Sequence, residues 1–138
     1  MAAELFVDTS AWYPIAVSNH PDHEILAGEL ARQIRGGRRI VTTNLILAET
    51  YALLLSRTRR DAALGFLRAV RQPPNEVVNT TPDLEDRAIN HWLERYEDQD
   101  FSLADAVSFE VMAGKGIREA LTLDHHFAAA GFVMVPVP

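Results

Sequence analysis

The chain has 138 residues, a formal net charge of −6 and no cysteine. This length suits one compact core, so residues 1–138 are interpreted as a single domain. The lack of cysteine excludes disulfides and thiolate metal sites, and neither a secretory leader nor an apolar run long enough for a membrane helix is visible, so a cytoplasmic protein is expected.

Short apolar runs predict five strands, because each is bounded by polar or turn-forming residues. The first ends abruptly at Asp8. In chain order the predicted strands are residues 4–7 (ELFV), 38–43 (RRIVTT), 76–80 (EVVNT), 119–123 (EALTL) and 132–135 (FVMV).

Residues with helical spacing fill the intervals between these strands. In the first long interval Ile25, Leu26, Leu30 and Ile34 recur at helical spacing. The helix over residues 43–58 is apolar on nearly every side, which predicts that it is buried. Further helices are predicted over residues 60–70, from Thr81 onward and over residues 102–116. Strands alternating with helices indicate an α/β fold, with a mostly parallel sheet and helices on both faces.

Four acids are placed to meet at one edge of this sheet. Asp8 follows the first strand and Asp124 follows the fourth. Asp105 lies in the first turn of the helix before the fourth strand, and Glu49 lies near the start of the helix that leaves the second. Because ligands of parallel α/β sheets bind beyond the carboxyl ends of the strands, we expect these four carboxylates to share one site.

Each acid also has a purely structural interpretation. Asp8 could cap the next helix, and Asp105 could form a capping box with Ser102. Asp124 could be a simple turn residue, and Glu49 could be a solvated residue, although its apolar neighbours leave little solvated surface. The joint arrangement favours a site, because converging carboxylates destabilise the fold unless a cation neutralises them. All-oxygen ligands suit Mg²⁺ or Mn²⁺, which assist phosphodiester chemistry.

The histidines are weaker candidates for metal ligands. His125 and His126 are adjacent, so their side chains point in different directions and cannot easily bind one ion together. We therefore expect Asp124 alone from this stretch to join the acids, with His125 as a candidate pH-sensitive contact. Nine arginines between residues 32 and 71 are either solvated helix surface or phosphate contacts.

Four segments resemble the PIN-domain ribonucleases, and among them the VapC-type toxins of bacterial type II toxin–antitoxin pairs. The segments are LFVDTSAW, LILAETYALL, FSLADAVSFEVM and ALTLDHHFAAAGF, in order along essentially the whole chain. One departure is visible: relatives often have a basic residue after the fourth acid, where this chain has His125.

The resemblance implies a five-stranded parallel sheet of order 3-2-1-4-5 and a Mg²⁺- or Mn²⁺-dependent endoribonuclease. Asp8 and Asp105 would be the most direct metal ligands, and Glu49 and Asp124 would complete the cluster. Thr9 or Ser10 would be the hydroxyl residue that lines the site in relatives. The implied partners are RNA, a small antitoxin and a second copy of the chain.

Three other functions compete with this one. A receiver-like signalling domain would need an acid after the third strand and a lysine near the sheet edge, and the chain offers neither. A PIN-fold binding protein without activity is disfavoured because all four acids are present. A PIN nuclease of RNA processing, outside any toxin pair, differs from a toxin in having no antitoxin encoded beside it.

Overall fold

A computed structural model describes residues 4–137 of the chain. The five predicted strands are all present. They are β1 (Glu4–Val7), β2 (Arg39–Thr43), β3 (Asn75–Val78), β4 (Glu119–Leu121) and β5 (Val133–Val135). All pair in parallel in the order β3-β2-β1-β4-β5, which confirms the predicted strand order.

The helices match the predicted intervals and add segments that the sequence pattern did not delimit. They are α1 (Thr9–Ala16), α2 (His23–Arg35), α3 (Asn44–Arg57), α4 (Arg60–Val70), α5 (Pro82–Ala88), α6 (Leu103–Lys115) and α7 (His126–Ala129), with a π-helical turn over Ile89–Leu93. Within residues 4–137, none of them is long and apolar enough to cross a membrane.

The connections run in opposite directions on the two sides of β1. Right-handed crossovers therefore place α1 to α4 on one face of the sheet and α5 to α7 on the other. The packing agrees, since α1 contacts α2 and α3, α3 contacts α4, and α6 contacts both α5 and α7. The reversal leaves a crevice beyond the carboxyl ends of β1 and β4, which is where ligands of such sheets bind.

Burial on two helices departs from their apolar pattern, and the prediction that α3 is buried is wrong. Ile25 is 64% exposed, whereas Glu29 on the same helix is buried. The helix predicted to be buried, α3, has an open side that includes Ala48, Ala52 and Leu55. Both helices are covered on one side only, so apolar residues at the flanks of their stripes remain in solvent.

An aromatic cluster anchors the segment after β4. The rings of Phe109 on α6 and Phe127 on α7 pack edge to face with centroids 4.9 Å apart, and Phe127 is fully buried. Phe6 of β1 lies 6.1 Å from the same ring. The short helix α7 is thereby held against the sheet, which fixes the direction of the residues just before Phe127.

Candidate metal centre

All four predicted acids line one groove of about 560 Å³ at the carboxyl edge of the sheet. Asp8 leaves β1, Asp124 follows β4, Asp105 lies in the first turn of α6, and Glu49 projects from α3. The structure thus brings together side chains that are far apart in the sequence.

Asp8 is buried, and three donors converge on its Oδ2 atom. The Ser10 amide donates at 3.2 Å, the Ser10 hydroxyl at 2.8 Å and the Thr122 hydroxyl at 3.1 Å. Asp8 therefore caps α1, as its structural interpretation required, and lines the groove as well. Sequence reasoning missed Thr122, whose full burial at the end of β4 has no signature in the local pattern.

Burial raises the pKa of Asp8 from 3.8 to about 6. The hydrogen bonds from Ser10 oppose this shift, and the charges of Asp124 and Asp105 add to it. The ionised form of Asp8 is thus disfavoured in a pocket that contains other carboxylates. A bound cation would remove that penalty.

Asp105 is also buried and also has two structural partners. Its Oδ2 accepts from the Ser102 amide at 3.1 Å, while its own amide donates to the Ser102 hydroxyl at 3.0 Å, so the capping box is present. The same oxygen lies 3.1 Å from Nδ1 of His126. Among residues 4–137, no hydrogen bond reaches Oδ1 of either Asp105 or Asp8, so each keeps one oxygen for another ligand.

His126, rather than His125, belongs to this site. Oδ1 of Asp124 accepts from the His126 amide at 2.9 Å and lies 3.6 Å from its Nδ1, and the Phe101 ring packs edge to face on the imidazole. His125 is exposed. Because the two histidines are adjacent, their side chains point in different directions and only one of them can enter the groove. The burial of Phe127 determines that this one is His126.

The donor set fits a divalent cation. One atom each of Asp105, Asp124 and His126 can be chosen so that all lie within 4.8 Å of one another. Carboxylate oxygens suit Mg²⁺, and one imidazole nitrogen beside them is compatible with Mn²⁺. Asp8 adds a buried carboxylate that is electrostatically coupled to Asp105 and Asp124.

Glu49 reaches the groove from its solvent side. The residue is exposed, and its Oε1 accepts from the Thr9 hydroxyl at 2.6 Å. Thr9 in turn accepts from the buried Thr50 hydroxyl at 3.2 Å. Glu49 lies where the sequence predicted, but the argument that its helix leaves it little solvated surface is wrong.

Most of the nine arginines do not face the groove. Arg32, Arg38 and Arg39 pair with acids elsewhere on the molecule, namely Glu29, Glu119 and Glu76. Arg57, near the end of α3, lines the groove directly. The arginine-rich region is therefore mostly helix surface, with one arginine beside the acids.

Comparison with known proteins is consistent across sequence and structure. Residues 5–133 match the family model described as PIN domain. The 23S rRNA-specific endonuclease VapC20 of Mycobacterium tuberculosis is 35% identical over 133 residues, which are 95% of this chain and 97% of that protein. Its crystal structure, described as a Sarcin-Ricin loop cleaving toxin, superposes with a TM-score of 0.81 over 94% of this chain and 97% of that one, at 34% identity.

A more distant solved structure shares the fold alone. VapBC2 of Rickettsia felis, bound to a DNA fragment from its promoter, gives a TM-score of 0.71 at 12% identity, covering 97% of both chains.

Proposed function

The chain belongs to the PIN domain family, and from that premise we propose that it is a divalent-metal-dependent endoribonuclease, the toxin of a type II toxin–antitoxin pair. The observation that carries the proposal is the group of carboxylates at the sheet edge, among which burial raises the pKa of Asp8 to about 6. Such a group of carboxylates destabilises the fold without a cation, and with a bound cation it can assist phosphodiester hydrolysis.

The relatives suggest a substrate. VapC20 is named for cleavage of 23S ribosomal RNA, and this chain aligns with nearly all of it at 35% identity. We therefore propose ribosomal RNA of the large subunit as the substrate class. The cytoplasm would then be its location, and residues 1–138 would act as one domain.

Asp8, Asp105 and Asp124 would hold the ion, Mg²⁺ or Mn²⁺, with His126 as a nitrogen ligand or as the group that orients Asp105. Glu49 would complete the cluster from the far side, steadied by Thr9, and Ser10 would orient Asp8. When bound, the ion supplies Lewis-acid stabilisation of the phosphodiester and acidifies water.

The residues of the chain position the reactants. Glu49, exposed at the mouth of the groove, can accept a proton from an attacking water, because the hydrogen bond from Thr9 occupies only one of its oxygens. The water oxygen bonds to phosphorus, the bond from phosphorus to the 3′ oxygen breaks, and that oxygen takes up a proton from solvent, while Glu49 later releases its proton to solvent. The products are a 5′-phosphate and a 3′-hydroxyl, so the 2′-hydroxyl takes no part in the chemistry.

A matched pair of variants tests the proposal. Purified protein is incubated with ribosomal RNA in Mg²⁺ or in EDTA, alongside Asp105→Asn and the control Asp86→Asn, which alters an exposed acid on α5. We expect cleavage by wild type and by the control in Mg²⁺ only. Equal cleavage by Asp105→Asn, with an unchanged melting temperature, would remove the proposed site.

The partner is proposed on the same basis. A toxin of this family needs an antitoxin that covers the acids, and the open side of α3 offers apolar surface for a homodimer. Growth arrest on expression of the chain alone, relieved by the product of a neighbouring short reading frame, separates a toxin from an RNA-processing nuclease. Size-exclusion chromatography tests the dimer.

A further inference from the structure

A second groove continues from the metal centre along the outer surface of α1 and α3. It has a volume of about 680 Å³ and shares Tyr13, His20 and Arg57 with the groove that contains the acids. The two grooves are therefore one continuous channel, with these three side chains at the junction.

Helical spacing accounts for this continuity. Tyr13 lies four residues after Thr9 on α1, and Arg57 lies eight residues after Glu49 on α3, so each pair shares a helix face. Helix α1 packs against α3, which keeps the two faces together. At 1.5 Å per residue, the distance along α3 from Glu49 to Arg57 is about 12 Å, so the junction lies beside the metal centre rather than within it.

The junction combines a cationic side chain with aromatic ones. The guanidinium carbon of Arg57 lies 5.6 Å from the centroid of the Tyr13 ring, a cation–π distance. The His20 ring meets Tyr13 edge to face, with centroids 5.7 Å apart and planes at 89°, and supports it from the side. Tyr13 is half-buried, whereas Arg57 is exposed.

The charge changes sign along the channel. The groove at the metal centre is lined by Asp8, Asp22, Glu49, Asp100, Asp105 and Asp124. Among the described residues, the second groove is lined by no acid and by two arginines, Arg57 and Arg59. Arg59 pairs with Asp61, whereas Arg57 has no ion pair within residues 4–137. Arg57 thus keeps its positive charge available for a ligand.

We propose that Tyr13 and Arg57 form a stacking platform for the base of a nucleotide next to the scissile phosphodiester, with Arg57 also bonding that nucleotide's phosphate. Single-stranded nucleic acids are held by this combination of planar π surface and positive charge. Guanidinium planes stack on bases and bond phosphates at their edges. The rest of the lining is mixed, with Ser18, Asn19 and Thr58 beside Ala16, Val17, Pro21 and Ala62, so it is the positive charge of Arg57 that favours RNA over an apolar peptide segment.

This inference rests on the proposed nuclease function, and an abasic scan of the substrate tests it. A short single-stranded RNA that the wild type cleaves is prepared with an abasic nucleotide at each position around the cut in turn. Steady-state cleavage gives KM and kcat for wild type, Tyr13→Leu and Arg57→Gln. The control is Arg60→Gln, which removes an exposed arginine that lines neither groove.

We expect Tyr13→Leu and Arg57→Gln to raise KM roughly tenfold, the loss of one stacked base, with a much smaller change in kcat. The conservative variant Tyr13→Phe, which keeps the ring, should restore the wild-type KM. At one position near the cut, the abasic nucleotide should raise the KM of wild type and of Arg60→Gln by a similar factor. At that position neither Tyr13→Leu nor Arg57→Gln should show a further rise, because the stack is already lost.

Other outcomes would overturn the inference. If both variants cleave the intact RNA with unchanged KM, or lose the same factor at every abasic position as the wild type, the platform does not bind a base. If RNA cleavage is unaffected but antitoxin binding weakens, the junction belongs to a protein partner. If the wild type cleaves no RNA in Mg²⁺, the proposed function fails, and this inference fails with it.

Discussion

Helix α6 carries two carboxylates that each face a histidine, and their surroundings are opposite in charge. Asp105 lies 3.1 Å from Nδ1 of His126, and Glu110, five residues later, lies 2.9 Å from Nδ1 of His91. Asp105 also adjoins Asp124, and its charge helps to raise the pKa of Asp8.

Both carboxylate oxygens of Glu110 have a partner within the fold. Trp92 Nε1 donates to its Oε1 at 3.1 Å, and Nε of Arg87 lies 3.4 Å from its Oε2. Burial by itself would raise the pKa of Glu110, but hydrogen bonds from His91 and Trp92 and the charges of His91 and Arg87 outweigh it, so the pKa is lowered. Glu110 thus has cationic partners within the fold. Asp8, Asp105 and Asp124 pair with no lysine or arginine among residues 4–137, an arrangement that a bound cation would stabilise.

The largest expected difference between the two regions is in catalysis. Asp8→Asn should lower RNA cleavage more than about 100-fold, because loss even of the outer partners of a metal ligand costs about 10- to 100-fold. Glu110→Gln should cleave RNA at a rate within about twofold of wild type, since it alters only the carboxylate that already has cationic partners within the fold. Initial rates on ribosomal RNA in saturating Mg²⁺ measure both variants. Equal losses of activity would show that Asp8 and Glu110 do not differ in their role in catalysis.

The second prediction concerns the stability of the metal-free protein. Because the pKa of Asp8 rises from 3.8 to about 6 on folding, its protonated form stabilises the fold below pH 3.8, and that contribution is lost as the pH rises through 6. The full loss corresponds to about 3 kcal/mol. Asp8→Asn should therefore be more stable than wild type at pH 7.5 in EDTA, by up to about that amount.

Urea unfolding in EDTA between pH 5 and 7.5 measures this effect. The contribution of Glu110, whose pKa is lowered, is nearly constant in that window, because it is lost only at more acidic pH. The advantage of Asp8→Asn should shrink as the pH falls, and Mg²⁺ should stabilise wild type selectively. Parallel pH profiles for the two proteins would contradict the assignment.

Substitutions of His126 and His91 should also differ in their effect on cleavage, but by a smaller factor. His126→Gln should lower cleavage about tenfold, because the imidazole lies 3.1 Å from Asp105 Oδ2 and the loss of such an outer partner of a proposed metal ligand costs about 10- to 100-fold. His91→Gln, which alters the matching contact to Glu110, should leave cleavage unchanged. Rates for both variants at saturating and at limiting Mg²⁺ are the measurement, and equal rates for the two would count against the site.

The smallest expected effect is a loss of stability when Glu110 loses its charge. Glu110→Gln should lower the free energy of unfolding by about 1–2 kcal/mol, because Trp92 and His91 lose a charged acceptor while His91 stays half in solvent. The loss should be the same in EDTA and in Mg²⁺. A loss that appears only in Mg²⁺ would connect Glu110 to the metal.

The strands and the meeting of the acids could be predicted from the sequence. Apolar runs delimit buried strands whatever their neighbours are, and an acid directly after a parallel strand must lie at the carboxyl edge. Asp8 and Asp105 do cap their helices, yet both also line the groove, so the structural interpretation does not exclude the functional one. Each residue uses Oδ2 to cap a helix and leaves Oδ1 for the groove.

The unpredicted features depend on long-range packing. Ile25 fits the apolar stripe of α2, yet its exposure depends on how far α1 covers that helix. His126 enters the site because Phe127 is buried against Phe6 and Phe109, contacts that join distant segments. Thr122 reaches Asp8 only because β4 lies beside β1.

The pairing of β1 with β4 also sets the moment at which the protein can become active. Phe6 pairs with Ala120, and Asp8 and Thr122 are 114 positions apart, so the candidate metal centre closes the longest loop among these contacts. A nascent chain that ends before α6 carries Asp8 and Glu49 but neither Asp105 nor Asp124. If ribosomal RNA is the substrate, the nascent chain cannot cleave the RNA of the ribosome that makes it until the fourth strand has been synthesised and has paired with β1.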